Sequence, residues 1–495
     1  MSHTAPTATA SSTATLLRRE GPWFALYFCL FLLIYGYSAL RLGMHVDDVY
    51  DFCGEETGLY AAAGRWGVVL WRGIFGQGAC VWAAGITAGL LLAVTILCQT
   101  HLLRLTGNIE RLIYGGFYLG CIQFSHMLQF SFLCDAVAAS FLAVTGAVYF
   151  MQKPGIGARL GSLALLGLAF GTYQATAFYF GALFLLCELR RVQMGKSGGF
   201  MRRSGRFILT GIGAAIIWVT VKQAAVHLPF VTQAQLHYAE SYQRSLTCWP
   251  EFLSGTTEEK CSILQGVFMI GYSGQWLCLS ALLPLIYLFR SIKRHLGRST
   301  AVHALLLMLM LCITPYALGL LLLRQQTPWT FIAEPLMLAG FWGIFSASGE
   351  SFTPTLRKLT LVILGFTLIK GLYAVSEQAK LQALQYDTCI AELRHMRNAA
   401  DSAARHAGIS PQDILLVGEP MHRTDIDTNS AEQSLTWSNM LYYYLRHLKQ
   451  EDRMHIGTNA FYKQNKDLLD TLPIWPAPGS IQIIENKVII KIGPQ

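Results

Sequence analysis

The chain has 495 residues, 53% of them hydrophobic and only 14% charged, with a mean hydropathy of +0.39. Soluble globular proteins carry about 25% charged residues, so this composition excludes a soluble globular protein and predicts a membrane-embedded one. The formal net charge of +9 does not point to nucleic acid, because the basic residues fall in short segments between apolar runs. That is the positive-inside pattern of membrane proteins.

Taken in chain order, Met1 to Thr15 is rich in Ser, Thr and Ala and is expected to be disordered. No small-residue cleavage site follows the first apolar run convincingly, so that run is expected to be a retained anchor. Residues 1–22 then form a cytoplasmic tail, held inside by Arg18 and Arg19. Apolar runs predict about eleven spans, since each crossing needs roughly 20 apolar residues. They are placed at 23–40, 79–98, 112–126, 132–151, 160–172, 175–189, 207–226, 263–289, 301–323, 331–348 and 359–375. Two pairs are short. Those flanking Gln129-Phe130-Ser131 and those flanking Thr172-Tyr173-Gln174 each read as two helices or as one long, bent one.

Lys and Arg concentrate in the predicted inner segments, most densely at Arg190, Arg191, Lys196, Arg202, Arg203 and Arg206. The predicted outer loops hold only Arg41, Arg65, Arg72, Arg244, Lys260 and Arg324. This bias sets the N-terminus inside and the C-terminal region outside. From Ser376 the texture becomes soluble. Residues 377–406 read as an amphipathic helix ending near Gly408, and Ile414 to Val417 as a buried strand. Trp437 to Leu448 reads as a further helix, and Ile481 to Ile492 as two strands about a turn at Asn486. Residues 23–375 are thus a transmembrane domain, and residues 376–495 a small α/β extracytoplasmic domain. Cys248 and Cys261 share one predicted outer loop, either as a disulfide or as two free thiols.

The candidate chemistry lies at the predicted outer lip. Asp47 and Asp48 follow the first span. A carboxylate beside hydrocarbon has a raised pKa and makes a better general base; the alternative is a helix N-cap. Arg65, in Gly64-Arg65-Trp66, can grip a phosphate with two parallel hydrogen bonds. The stretch from Leu59 to Phe75 reads as one helix in the interface plane, where Arg72 is expected only to anchor. Asp135, opening an apolar run, either orients a substrate, pairs with an arginine or complements a helix dipole. Tyr173 offers a stacking face for a sugar and Gln174 hydrogen bonds for it, with interhelical bonding as the alternative. Arg324 opens a short outer loop beside Trp329, placed to hold an anionic head group or to pair with Glu334. No Walker loop, dinucleotide-binding GxGxxG, HExxH or GxSxG motif is present, which argues against nucleotide hydrolysis and serine hydrolysis.

The order Val46-Asp47-Asp48, Gly64-Arg65-Trp66, Phe132-Leu133-Cys134-Asp135 and Tyr173-Gln174-Ala175 resembles the serotype-converting glucosyltransferase family of the Gtr type II kind. The likeness runs from about residue 23 to 375 and more weakly beyond; Trp66 departs from the family pattern, which has an aliphatic residue or Pro after Gly-Arg. The resemblance implies a polytopic GT-C-like transferase of the bacterial inner membrane. Its donor would be a polyprenyl-phosphate-linked sugar, glucose by analogy, and its acceptor a surface glycan such as O-antigen on the periplasmic face. Asp47 and Asp48 would hold the family's first-loop acidic position. Arginine supplies the positive charge for the leaving phosphate, so no cofactor is called for; assistance by a divalent metal stays open. The rival readings are a lipid-linked sugar flippase and a non-catalytic membrane scaffold. A flippase would favour duplicated halves and charges at the bilayer midplane.

Overall fold

The computed structural model describes residues 10–40, 56–75, 81–128, 133–244, 249–267, 275–323, 330–349, 352–409, 413–417, 454–456, 464–484 and 487–492. The chain is an α-helical membrane protein and divides into two compact units. One comprises Met1–Arg41 and Thr57–Glu377, the other Leu42–Glu56 and Gln378–Gln495.

The first unit opens with helices α1 (Ala10–Leu40), α2 (Glu56–Ala62), α3 (Trp66–Phe75), α4 (Val81–Leu102), α5 (Asn108–Leu119) and α6 (Gln123–Leu128). There follow α7 (Cys134–Met151), α8 (Ile156–Thr172), α9 (Thr176–Gln193), α10 (Phe200–Ala225), α11 (Gln233–Arg244) and α12 (Trp249–Ser254). Next come α13 (Thr257–Val267), α14 (Gln275–Leu296), α15 (Arg298–Ile313), α16 (Ala317–Leu322) and α17 (Ala333–Ser346). A 3₁₀ turn, Thr314–Tyr316, joins α15 to α16, and α18 (Pro354–His406) begins in this unit.

Among the described residues, six stretches are long and apolar enough to cross a bilayer: Arg18–Ala39, Ala83–Leu102, Cys134–Met151, Phe200–Ala225, Arg298–Leu322 and Pro354–Glu377. Among the described residues, the other expected spans are helical but shorter, broken or more charged; residues 268–274 of the span expected at 263–289 lie outside them. Helices α8 and α17 have 17 and 14 residues. At 1.5 Å per residue they reach about 25 and 21 Å, against a hydrocarbon core of about 30 Å. The stretch 112–126 is divided between α5 and α6, and α9 carries Arg190 and Arg191 in its last turn. At Tyr173 the backbone is extended (φ −150°, ψ 111°), so α8 and α9 are two helices and not one bent one.

Helix α1 packs on α4, α4 on α7, α7 on α8, and α5 on α17. In lipid, apolar side chains gain little by leaving the tails, so close packing and interhelical hydrogen bonds hold the bundle. Both are present. Trp342 of α17 stacks on Phe117 of α5 with ring centroids 4.8 Å apart. Tyr27 and Tyr35 of α1 donate to the carbonyls of Arg111 (3.0 Å) and Leu119 (2.7 Å). At the predicted inner side, Arg111 bonds Glu20 at 2.8 Å, and Arg203 grips both oxygens of Glu188 at 2.7 Å. Several of the basic residues that the sequence places inside are thus also structural ties.

In the second unit, the later part of α18 precedes β1 (Asp413–Val417), β2 (Met454–Ile456), α19 (Lys466–Thr471), β3 (Ile481–Ile484) and β4 (Lys487–Lys491). The sheet order is β2-β1-β4-β3. β1 runs parallel to both β2 and β4, and β3 pairs antiparallel with β4. Ile414, Leu416, Val488 and Ile490 pack against Met396, Ala400 and Ala404 of α18. Leu415, Val417 and Ile489 pack on the opposite face against Leu469 and Leu472. Strands covered on both faces read as continuous apolar runs, which is why Ile414 to Val417 shows no alternation. The helix expected at 437–448 lies outside the described residues, as does Cys248; Cys261 is an exposed free thiol.

Candidate functional site

The site is built from two short motifs that are more than 100 positions apart in the chain. The first is a helix-to-helix turn. Gly64 N–H donates to the Ala61 carbonyl (3.0 Å) and Arg65 N–H to the Tyr60 carbonyl (2.7 Å), closing the end of α2. This pattern places its penultimate residue in the left-handed region, and Gly64 has φ +78°. A side chain there is strained, so glycine is required. The Arg65 carbonyl then accepts from Val68 N–H (3.0 Å) and starts α3. Trp218 of α10 fixes the turn by donating its indole N–H to the Gly64 carbonyl at 2.9 Å.

The expected single interfacial helix over 59–75 is therefore two helices. Within α3, Trp66, Val68 and Arg72 are buried, while Leu70, Ile74 and Phe75 are exposed. Arg72 is 7% exposed and so is not the interfacial anchor expected of it. The sequence stripe was ambiguous because α3 is apolar almost all round.

The second motif is the end of α8. A Cβ on Gly67 would lie 2.3 Å from Thr172 Oγ1 and 2.8 Å from Thr172 N. A Cβ on Gly171 would lie 2.3 Å from the Trp66 ring. Glycine on both sides lets α3 press directly on the backbone of α8. Gln174 then donates its amide to the Ala63 carbonyl at 3.3 Å, bridging the two motifs. Gln174 thus has a structural partner within the turn that carries Arg65.

Where the motifs meet there is a small, partly open cavity of about 30 Å³ lined by Arg65, Val68, Met127, Leu133, Val137, Thr172, Tyr173 and Ile332. It brings together the predicted site residues Arg65 and Tyr173. Five structural elements contribute: α3, α6, α7, the end of α8 and the segment before α17. Its walls are otherwise aliphatic, apart from the Thr172 hydroxyl, which donates to the Leu168 carbonyl (2.9 Å).

Asp135 is not among the lining residues, although it is close in sequence to two of them. It is 9% exposed, and its carboxylate accepts from Trp71 Nε1 (2.8 Å) and from Ala136 N–H (2.8 Å). The Arg72 guanidinium lies within electrostatic reach of it. Asp47, Asp48 and Arg324 lie outside the described residues.

Sequence reasoning named Glu334 of α17 only as a partner for Arg324 and passed over the buried polar residues of α6 that meet it. Gln123 donates to the Glu334 carboxylate, and Gln123, Ser125, His126 and Glu334 are all buried. Met127, one position on from His126, reaches the cavity. The signal was available: Gln, Ser and His within four positions interrupt an apolar run, and polar side chains at membrane depth face protein or water, not lipid. Among the described residues no group of three or more His, Cys, Asp or Glu is arranged to hold a metal ion.

The arrangement offers one permanent cation with a planar fork of donors, an aromatic side chain and a hydroxyl, all set in an aliphatic wall. It suits a ligand with an anionic head, a ring that can stack and an apolar body. Compared with known proteins, the chain matches no family model and no curated protein.

Proposed function

We propose that the chain is a membrane glycosyltransferase. It would move a sugar, glucose by resemblance, from a polyprenyl-phosphate donor to a surface glycan on the periplasmic side of the bacterial inner membrane. The observation that carries this reading is the cavity joining Arg65 to Tyr173 among aliphatic side chains. Arg65 binds the donor phosphate and stabilises it as it leaves, supplying the charge that a metal would otherwise provide. Tyr173 provides the stacking face for the sugar. The role of general base goes to Asp47 or Asp48, and a further phosphate contact to Arg324, on the sequence argument alone. The base takes the proton from the acceptor hydroxyl as its oxygen attacks the anomeric carbon, the bond to the phosphate oxygen breaks, and the centre inverts.

The test is a transfer assay in lipid nanodiscs with polyprenyl-phosphate glucose and acceptor glycan, together with glycan analysis of the host surface with and without the gene. Asp47→Asn or Asp48→Asn should lose transfer while retaining donor binding. Arg65→Lys, which keeps the charge but loses the fork, should weaken donor binding by about tenfold, the cost of roughly one charge-assisted hydrogen bond. Full transfer by both aspartate variants would remove the base assignment. Movement of intact donor between leaflets without transfer would replace the enzyme with a flippase.

A further inference from the structure

We infer that Asp135 is a positioning residue: with Trp71 it forms a latch that holds helix α3, and so Arg65, at the wall of the cavity. The kinetic part of this inference rests on the proposed transferase reading; the structural part does not.

Helical phase gives the first argument. Leu133 and Val137 both line the cavity and are four residues apart, so they share one face at the start of α7. Asp135 lies midway between them, about 200° around the helix at 100° per residue, and so points away from the cavity. Hydrogen bonding gives the second. Both carboxylate oxygens are already engaged, Oδ2 by the Trp71 indole at 2.8 Å and Oδ1 by Ala136 N–H at 2.8 Å. Burial gives the third: at 9% exposure Asp135 has no open side to offer a sugar.

The partner helix has the matching pattern. Val68, Trp71 and Arg72 stand at i, i+3 and i+4 on α3, on one side of it. Val68 and the adjoining Arg65 line the cavity, while one turn further on Trp71 donates to Asp135 and the buried Arg72 lies within electrostatic reach of it. Helix α3 has only ten residues, with Leu70, Ile74 and Phe75 exposed. A helix this short is marginal without tertiary support. Its ties are the contact of Gly67 and Trp66 with the end of α8 and the Asp135 latch. A buried Arg beside a carboxylate that also accepts an indole N–H avoids the cost of an isolated charge.

The experiment uses the full chain in nanodiscs, with Val68→Cys as a probe read by peptide-resolved thiol labelling; Val68 is 1% exposed. Trp71→Phe and Asp135→Ala should each speed labelling of the introduced thiol by about tenfold or more, as local opening of the helix becomes easier. The double variant should be no faster than Asp135→Ala alone, because that variant already removes the interaction that Trp71→Phe removes. Asp135→Asn keeps an acceptor for the indole and should restore protection in part. In the transfer assay, Trp71→Phe should raise the donor KM and leave the acceptor KM unchanged. If Trp71→Phe leaves both the labelling and the donor KM at parental values while Asp135→Ala abolishes sugar binding, Asp135 is a direct ligand and the latch is overturned. If the parent protein transfers no sugar, the transferase reading fails, and the labelling arm still decides the latch.

Discussion

The bundle interior and the cavity are both polar places inside a membrane protein, and they use polarity in opposite ways. In the interior, the Gln99 amide accepts from the Tyr114 hydroxyl (2.7 Å) and donates to Tyr179 (2.6 Å) and Thr145 (3.1 Å). Tyr118 and Tyr179 share a hydrogen bond of 2.5 Å. These groups come from α4, α5, α7 and α9, are almost fully buried, and spend their polarity on one another. At the cavity, Arg65 and Tyr173 sit beside open volume and aliphatic walls. A polar network that closes on itself is interhelical glue; polar groups at the edge of a void border space that a ligand can enter. Residue type alone does not separate the two: Tyr179 and Tyr173 look alike in sequence.

The contrast can be broken from its strongest point downward. Gln99→Leu keeps the volume but strands the Tyr114 hydroxyl without its acceptor and Tyr179 and Thr145 without their donor. It should cost about 3 kcal/mol of stability, from unpaired buried groups at about 1–3 kcal/mol each. Thermal unfolding in detergent measures the loss, while transfer per folded molecule should stay at the parental level. A neutral Gln99→Leu would mean that the network contributes nothing. Gly67→Ala should cost about 1–3 kcal/mol by overpacking against Thr172. Unlike Gln99→Leu, it should also weaken donor binding, because it displaces the segment carrying Arg65. An unshifted melting temperature and intact donor binding would refute the backbone contact between α3 and α8.

The smallest effect is expected far from both regions, at the exposed start of α13. Thr256 N–H donates to the Glu259 carboxylate (2.6 Å), and Glu259 N–H donates to the Thr256 hydroxyl (3.3 Å), a reciprocal cap. Hydrogen bonds from the Thr256 backbone and hydroxyl hold the Glu259 carboxyl below its ordinary value. A carboxyl depressed in the folded state stabilises above its unfolded-state pKa, and that contribution is lost as pH falls through the folded value. Amide-exchange protection in α13 should therefore drop on acidification in the parent. In Thr256→Ala it should already be lower at neutral pH and respond less to acid. Equal acid responses in the two proteins would rule out this cap as the source.

Much of the architecture was legible from apolar runs. Six of the expected spans fold as helices able to cross a bilayer, and the two strands expected within Ile481 to Ile492 and the strand at Ile414 to Val417 are present. Gly64-Arg65-Trp66 was marked as a candidate phosphate grip and Tyr173-Gln174 as an interruption in apolar sequence. Their meeting was not readable, because contact between Gly67 and Gly171 leaves no local signature beyond two glycines in a glycine-rich chain. Arg72 was read as an interfacial anchor because α3 is apolar on nearly every side, so its buried face could be found only from its neighbours. Gln123 and His126 were passed over although their polarity within an apolar run was visible.

By itself, the sequence determined the solvent: with so few charges and such long apolar runs, the backbone must satisfy its hydrogen bonds within helices in a bilayer. It also marked one place where the helices break, since the Thr172–Gln174 interruption is a local matter of backbone conformation and polarity. Only the tertiary structure decided which way each polar side chain faces. Helical phase fixes the angle between Leu133, Asp135 and Val137, but not which of them meets the void and which meets the indole of Trp71. That choice belongs to the packing of α3 against α7 and α8, where close approach of backbones, not the identity of any one residue, sets the rotation of the helix.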